Sequence, residues 1–187
     1  MLSSRSRIHA LVETAIFAAL AMALSFIPDF VSWFSPSWGS IPIVILALRR
    51  GTKYGLLGGL LWGLLHFLMG KVYYLSLIQV IIEYPLAFTS LGLAGLFALP
   101  FLKALSKQRT GQALLFGLLA AFTGLLARYF WHYVAGVVFW QAYAGKMSPY
   151  LYSLMVNGIA ALGTWLVTSL AVVVLIWAYP QFFEKKA

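Results

Sequence analysis

The strongest constraint on this chain is the way long apolar runs alternate with short basic segments. The runs extend from Ile8 to Ile27, Ile41 to Leu48, Tyr54 to Met69, Val72 to Leu102, Gln112 to Trp140 and Pro149 to Tyr179. The segments between them are too short to hold a soluble domain. Each helical crossing of a bilayer takes about 20 residues, so the chain has room for about six. Only 9% of residues are charged and 63% are hydrophobic, too little polar material to cover a water-facing surface. That balance excludes disorder and fibrous repeats, and the absence of Cys excludes a disulfide scaffold. The expectation is an all-α integral membrane bundle of six transmembrane helices, one domain over residues 1–187.

The thirteen Lys and Arg residues test that count. Arg5 and Arg7 precede the first run. Arg49, Arg50 and Lys53 follow the second, Lys103, Lys107 and Arg109 follow the fourth, and Lys185 and Lys186 follow the sixth. In a six-span serpentine all of these fall on one side, whereas the opposite loops carry only Lys71 and Lys146, and Arg128 lies inside the fifth run. The positive-inside rule then makes both termini cytoplasmic. Basic residues rationed among short loops beside headgroups also argue against nucleic acid as a partner. A cleavable signal peptide is the rival reading of the N-terminus, given Ala21-Met22-Ala23. Glu13 interrupts its apolar core and its removal would put the next basic cluster on the wrong side, so the segment is kept as a span.

The second run is too short. As helix it reaches about 12 Å, so the crossing must borrow from Val31 to Ser40, where Pro36, Gly39 and Pro42 forbid regular helix throughout. Irregular backbone at membrane depth is tolerated only when buried in protein or lining a cavity, which makes this loop, with Trp33 and Trp38, a candidate lid or wall.

Two stripes of small residues recur every fourth position: Ala15, Ala19 and Ala23 on the first span, and Gly55, Gly59 and Gly63 on the third. Such stripes let helix backbones approach closely in lipid. Packing within the bundle explains either one; for the alanine stripe an external partner helix is the sharper alternative.

Of the four acidic residues, only Glu83 lies deep in a span, followed by Tyr84 and the helix-perturbing Pro85. A carboxylate at mid-membrane costs about 2.5–3.5 kcal/mol on insertion scales, so it marks a functional site by default. A buried ion pair with Arg128 is the structural alternative, and the two can coexist. On the fifth span Arg128, His132, Gly136 and Trp140 follow one another at steps of four, one face drifting by about 40° per step. Tyr152 and Asn157 add a hydroxyl and an amide from the sixth. His66, alone in its span, reads as a packing histidine. One carboxylate among indoles, phenols and neutral donors suits a small, flat, nitrogen-rich organic cation, for which a cation–π contact in a dry site is worth about 2 kcal/mol. Arg128 complicates this unless Glu83 partly neutralises it or it serves a ring nitrogen.

The sequence contains no phosphate-binding loop, no H-E-x-x-H and no G-x-S-x-G, and one deep carboxylate cannot make a paired magnesium site. Neither catalysis, a metal nor a cofactor is expected, and ATP would have to be used by other subunits.

Glu83-Tyr84-Pro85-Leu86-Ala87-Phe88, Arg128-Tyr129-Phe130-Trp131-His132 with Gly136 and Trp140, Tyr152 to Asn157, and the alanine stripe together resemble the thiamine-specific S components of energy-coupling factor transporters, over essentially the whole chain. The resemblance implies a six-helix plasma-membrane protein that captures thiamine from outside and hands it to a transmembrane T component driven by two ATPase subunits. It implies ligand contacts by Trp33, Glu83, Tyr84, Arg128, His132, Gly136, Trp140, Tyr152 and Asn157, and T-component contacts by Ala15, Ala19 and Ala23. Glu83 would face the cation, Trp33 and Trp140 would offer π faces, and His132, Tyr152 and Asn157 hydrogen bonds. Two other readings share the polar core: a stand-alone proton-linked permease or channel using Glu83, Arg128 and His132, and a membrane scaffold in which the polar cluster is glue.

Overall fold

Each apolar run folds as helix, because within a bilayer a helix satisfies its own backbone hydrogen bonds. The computed structural model describes residues 4–28 and 36–184. Six helices follow in order: α1 (Ser4–Leu24), α2 (Ser40–Arg50), α3 (Thr52–Leu68), α4 (Leu77–Ser106), α5 (Thr110–Phe139) and α6 (Pro149–Ala178). Short 3₁₀ turns at Gln141–Ala144 and Pro180–Phe183 flank α6, and no strand occurs among the described residues. By length and apolar composition, α1, α4, α5 and α6 can each cross a membrane. With 11 and 17 residues, α2 and α3 reach about 16 and 25 Å.

The shortness of α2 is resolved by its position. It packs against all five other helices, and Ile43 to Leu48 are buried on every side, so it has no lipid-facing surface to span with. A helix apolar all round is a buried helix. Before it the chain is irregular at Pro36 and Ser37 and turns at Trp38 and Gly39, in keeping with the sequence expectation; residues 31–35 lie outside the described residues. After it, Gly51 at φ 87° reverses the chain into α3 with a single residue between the helices, a backbone angle open mainly to glycine.

α4 is not uniform. Pro85 has no N–H to give and its ring crowds the carbonyl one turn back, and the helix answers with a wide π turn over Ile82–Leu86. Further on it tightens to 3₁₀ over Leu91–Phe97. That segment lies backbone to backbone against α3: a methyl group on Gly92 would overlap Leu56, and one on Gly95 would overlap Thr52. The glycine stripe of α3 answers in kind, since a methyl on Gly59 would overlap the Phe88 carbonyl and one on Gly63 would crowd that of Tyr84. Packing inside the bundle therefore accounts for Gly55, Gly59 and Gly63.

It does not account for the alanines. On α1 the inward face is Thr14, Ala18, Ala21 and Met22, while Ala15, Ala19 and Ala23 are exposed beside Leu11, Val12, Ile16 and Leu20.

At one end of the bundle Glu13 of α1 pairs with both Arg49 and Arg50 of α2. Arg49 also donates to the Glu184 carbonyl at 3.3 Å and lies over the Phe182 ring at 5.3 Å. This gathers the start of the chain, the end of α2 and the segment after α6, as the charge pattern requires. At the other end Lys71 donates to the Ser25 carbonyl and lies 4.6 Å from the Phe26 ring centre.

Candidate functional site

The polar side chains expected at the site converge near that second end, but around two neighbouring chambers. One, of about 170 Å³, is lined by Glu83, His132, Gly136, Trp140, Tyr152, Ser153, Val156 and Asn157. The other, of about 260 Å³, is bordered by Ser37, Trp38, His66, Phe88, Arg128 and Tyr129 among others. His132 and Asn157 line both.

Glu83 lies in the π turn of α4 and is half-buried. Its Oε1 accepts from Trp140 Nε1 at 2.8 Å, and its Oε2 accepts from Gln79 Nε2. No cation pairs with it among the described residues. The carboxylate is thus held by two neutral donors and no counter-charge, which suits it to a cationic group.

The ion pair with Arg128 that the sequence allowed is not formed. Arg128 is buried, and its Nη1 donates to Ser37 Oγ at 2.8 Å and Ser40 Oγ at 2.6 Å, where the chain enters α2. Its guanidinium carbon lies 4.8, 4.4 and 5.4 Å from the ring centres of Trp62, Phe88 and Tyr129. Aromatic faces and hydroxyls, not a carboxylate, offset its charge there. The drift of the α5 face explains the division: His132, Gly136 and Trp140 reach the Glu83 chamber, whereas Arg128, a turn earlier, faces α2 and α3.

Gly136 lets α5 and α6 close on each other, since a methyl there would overlap Ser153 Oγ. Ser153 in turn donates to the Tyr133 carbonyl at 2.8 Å and accepts from Asn157 Nδ2 at 3.1 Å. This network holds Asn157 at the wall shared by the chambers. Tyr152 stands one helical turn from Val156 on the same chamber.

Tyr84 is placed differently. It lines neither chamber; its hydroxyl accepts from the Tyr73 N–H at 2.9 Å and its ring lies against His66 and Phe88, at 5.7 and 5.9 Å between centres. Trp33 lies outside the described residues.

Several participants were missed. His66 packs as expected, its Nδ1 2.9 Å from the Trp62 carbonyl, yet it also borders the larger chamber. Trp62, Ser37 and Ser40 carry the Arg128 contacts, and no pattern in the sequence points to them. Gln79 could have been found, as an amide one helical turn before the only deep carboxylate.

The comparisons with known proteins agree on one family. The profile of the family described as Thiamine transporter protein (Thia_YuaJ) matches residues 11–184. A protein named Thiamine transporter ThiT from Lacticaseibacillus paracasei is 42% identical over 182 residues, covering 94% of this chain and 90% of the relative. A second of that name, from Bacillus subtilis, is 31% identical, covering 94% of each. The solved structure of ThiT from Listeria monocytogenes superposes with a TM-score of 0.91 at 46% identity, over 95% of this chain and 98% of that one. Matched along nearly its whole length in sequence and in fold, this chain belongs to the thiamine transporter family Thia_YuaJ.

Proposed function

We propose that this chain is the thiamine-binding S subunit of an energy-coupling factor type importer. It acts as a single transmembrane unit in the plasma membrane, with both termini in the cytoplasm. It takes thiamine from outside, and partner subunits, a transmembrane T component and two ATPases, drive uptake. Its part is capture rather than chemistry on the ligand.

The observation that carries this reading is the uncompensated Glu83 carboxylate, presented by Trp140 and Gln79 into a chamber walled by His132, Gly136, Tyr152 and Asn157. A thiazolium ring is a permanent cation, and a carboxylate in a poorly hydrated site attracts it more strongly than in water. The indole of Trp140 adds a π face, and His132, Tyr152 and Asn157 supply hydrogen-bonding groups for a pyrimidine. Arg128, in the neighbouring chamber, is removed from direct repulsion of the cation and takes the role of a strut on the start of α2. The exposed Ala15, Ala19 and Ala23 form the T-component contact, since small residues on an uncovered face let a second helix approach.

The decisive experiment titrates thiamine into the purified chain alone while following tryptophan fluorescence. Saturable quenching is the expected result, and its absence would defeat the reading. Uptake by liposomes containing this chain alone, driven by a pH gradient, would favour the stand-alone permease instead.

A further inference from the structure

The amide of Gln79 is fully buried, and a buried amide is costly unless its hydrogen bonds are made. Here they are made both to the carboxylate and to the segment before α4. Nε2 donates to the Tyr73 carbonyl at 3.0 Å and to Glu83 Oε2, and Oε1 accepts from the Leu75 N–H at 3.1 Å. One side chain thereby joins the carboxylate to the chain segment that enters α4. Tyr73 in turn lies 4.9 Å, ring to ring, from Trp140, the other donor to Glu83, and its N–H donates to the Tyr84 hydroxyl. Remove Gln79 and the carboxylate keeps only the Trp140 bond, free to swing about its own side-chain torsions, while the peptides at 73 and 75 lose their partners.

We propose that Gln79 is the positioning residue of the binding site: it sets the direction in which Glu83 presents its charge and fastens the Tyr73–Leu75 segment beside it. The inference rests on Glu83 being the counter-charge of a cationic ligand. Gln79 itself does not touch the ligand, and it acts through the carboxylate.

A double-mutant cycle on the full-length purified chain separates this from packing. Thiamine affinity is measured by tryptophan fluorescence for the native chain, Gln79→Met, Glu83→Gln and the double variant. Gln79→Met is expected to weaken binding about tenfold or more in the native background, as loss of a hydrogen bond to a charged group does. In the Glu83→Gln background the same change should cost less than about threefold, because there is no charge left to aim. Equal losses in both backgrounds, or no loss in the native one, would overturn the proposal. A native chain that fails to bind thiamine would instead bring down the functional reading, and the proposal with it.

Should Gln79→Met melt before binding can be measured, Gln79→Glu decides. It keeps the size and the acceptor for Leu75 but sets a second carboxylate against Glu83. Its affinity should fall about tenfold or more in the native background, and by less than about threefold in the Glu83→Gln background, where the new carboxylate can accept from the introduced amide. Equal losses in the two backgrounds would mark a purely structural role.

Discussion

Trp140 Nε1 donates to Glu83 Oε1 at 2.8 Å, tying the end of α5 to the π turn of α4. The bond stands between two residues 57 positions apart in the chain, so it forms only when both helices are in place. Glu83→Gln preserves the shape and one acceptor oxygen, removes the charge, and sets an NH2 donor where the second bond was accepted. Thiamine affinity should fall by about 10–100-fold, corresponding to roughly 1.5–3 kcal/mol, measured by isothermal titration. Trp140→Phe, which keeps a ring and loses the donor, should cost less than Trp140→Ala.

The close approach of α3 to α4 leads to a second prediction. Gly59→Val would drive a branched side chain into the Phe88 carbonyl, and backbone cannot step aside as a flexible side chain can. Overpacking of this kind costs about 1–3 kcal/mol or more. The melting temperature in detergent should fall sharply. Gly158→Ala, at a helical position where a methyl group meets nothing within 4 Å, should leave it nearly unchanged.

Glu13 offsets two arginines at once, and all three side chains are mostly buried. Glu13→Gln leaves Arg49 and Arg50 side by side without their shared counter-charge. Stability should drop by about 1–3 kcal/mol, read as a lower melting temperature. Thiamine affinity should hold, because none of the three residues lines either chamber.

Ala19 is exposed, as are Ala15 and Ala23 of its stripe. Ala19→Leu should therefore change stability by less than about 0.5 kcal/mol and leave thiamine affinity intact. Co-purification with the proposed T component and ATPases should be lost, along with thiamine uptake in cells. Retained co-purification in a triple Ala15, Ala19 and Ala23 to Leu variant would place the partner contact elsewhere.

Much of this molecule was legible because bilayers impose coarse rules. Span limits read from apolar runs fall within a few residues of most of the helix ends, and the placement of cations brings Glu13, Arg49 and Arg50 to one end. Glu83 stood out because a deep carboxylate is expensive. What stayed hidden depends on where side chains point. Arg128 and His132 share a helix face by spacing, yet the drift of that face sends one towards Ser37 and Ser40 and the other towards Glu83. The alanine and glycine stripes have the same period, and only the assembled bundle shows that Gly59 meets Phe88 while Ala19 stays exposed. Tyr84, adjacent to Glu83, faces His66 and Phe88 because neighbouring side chains on a helix diverge by about 100°.

That wide turn carries an evolutionary and practical consequence. It accommodates about one residue more than an ordinary turn, so a return to regular α winding would absorb the deletion of a single residue between Ile82 and Leu86 and leave the helix before it in nearly its present relation to Ala87 onward. Glu83, inside the turn, is the side chain that would be re-aimed, while Gln79 before it would stay in place. A one-codon deletion at this spot should weaken capture of the vitamin through Glu83 alone while leaving a helix that still crosses the bilayer, and relatives that differ in length here would aim their carboxylate differently.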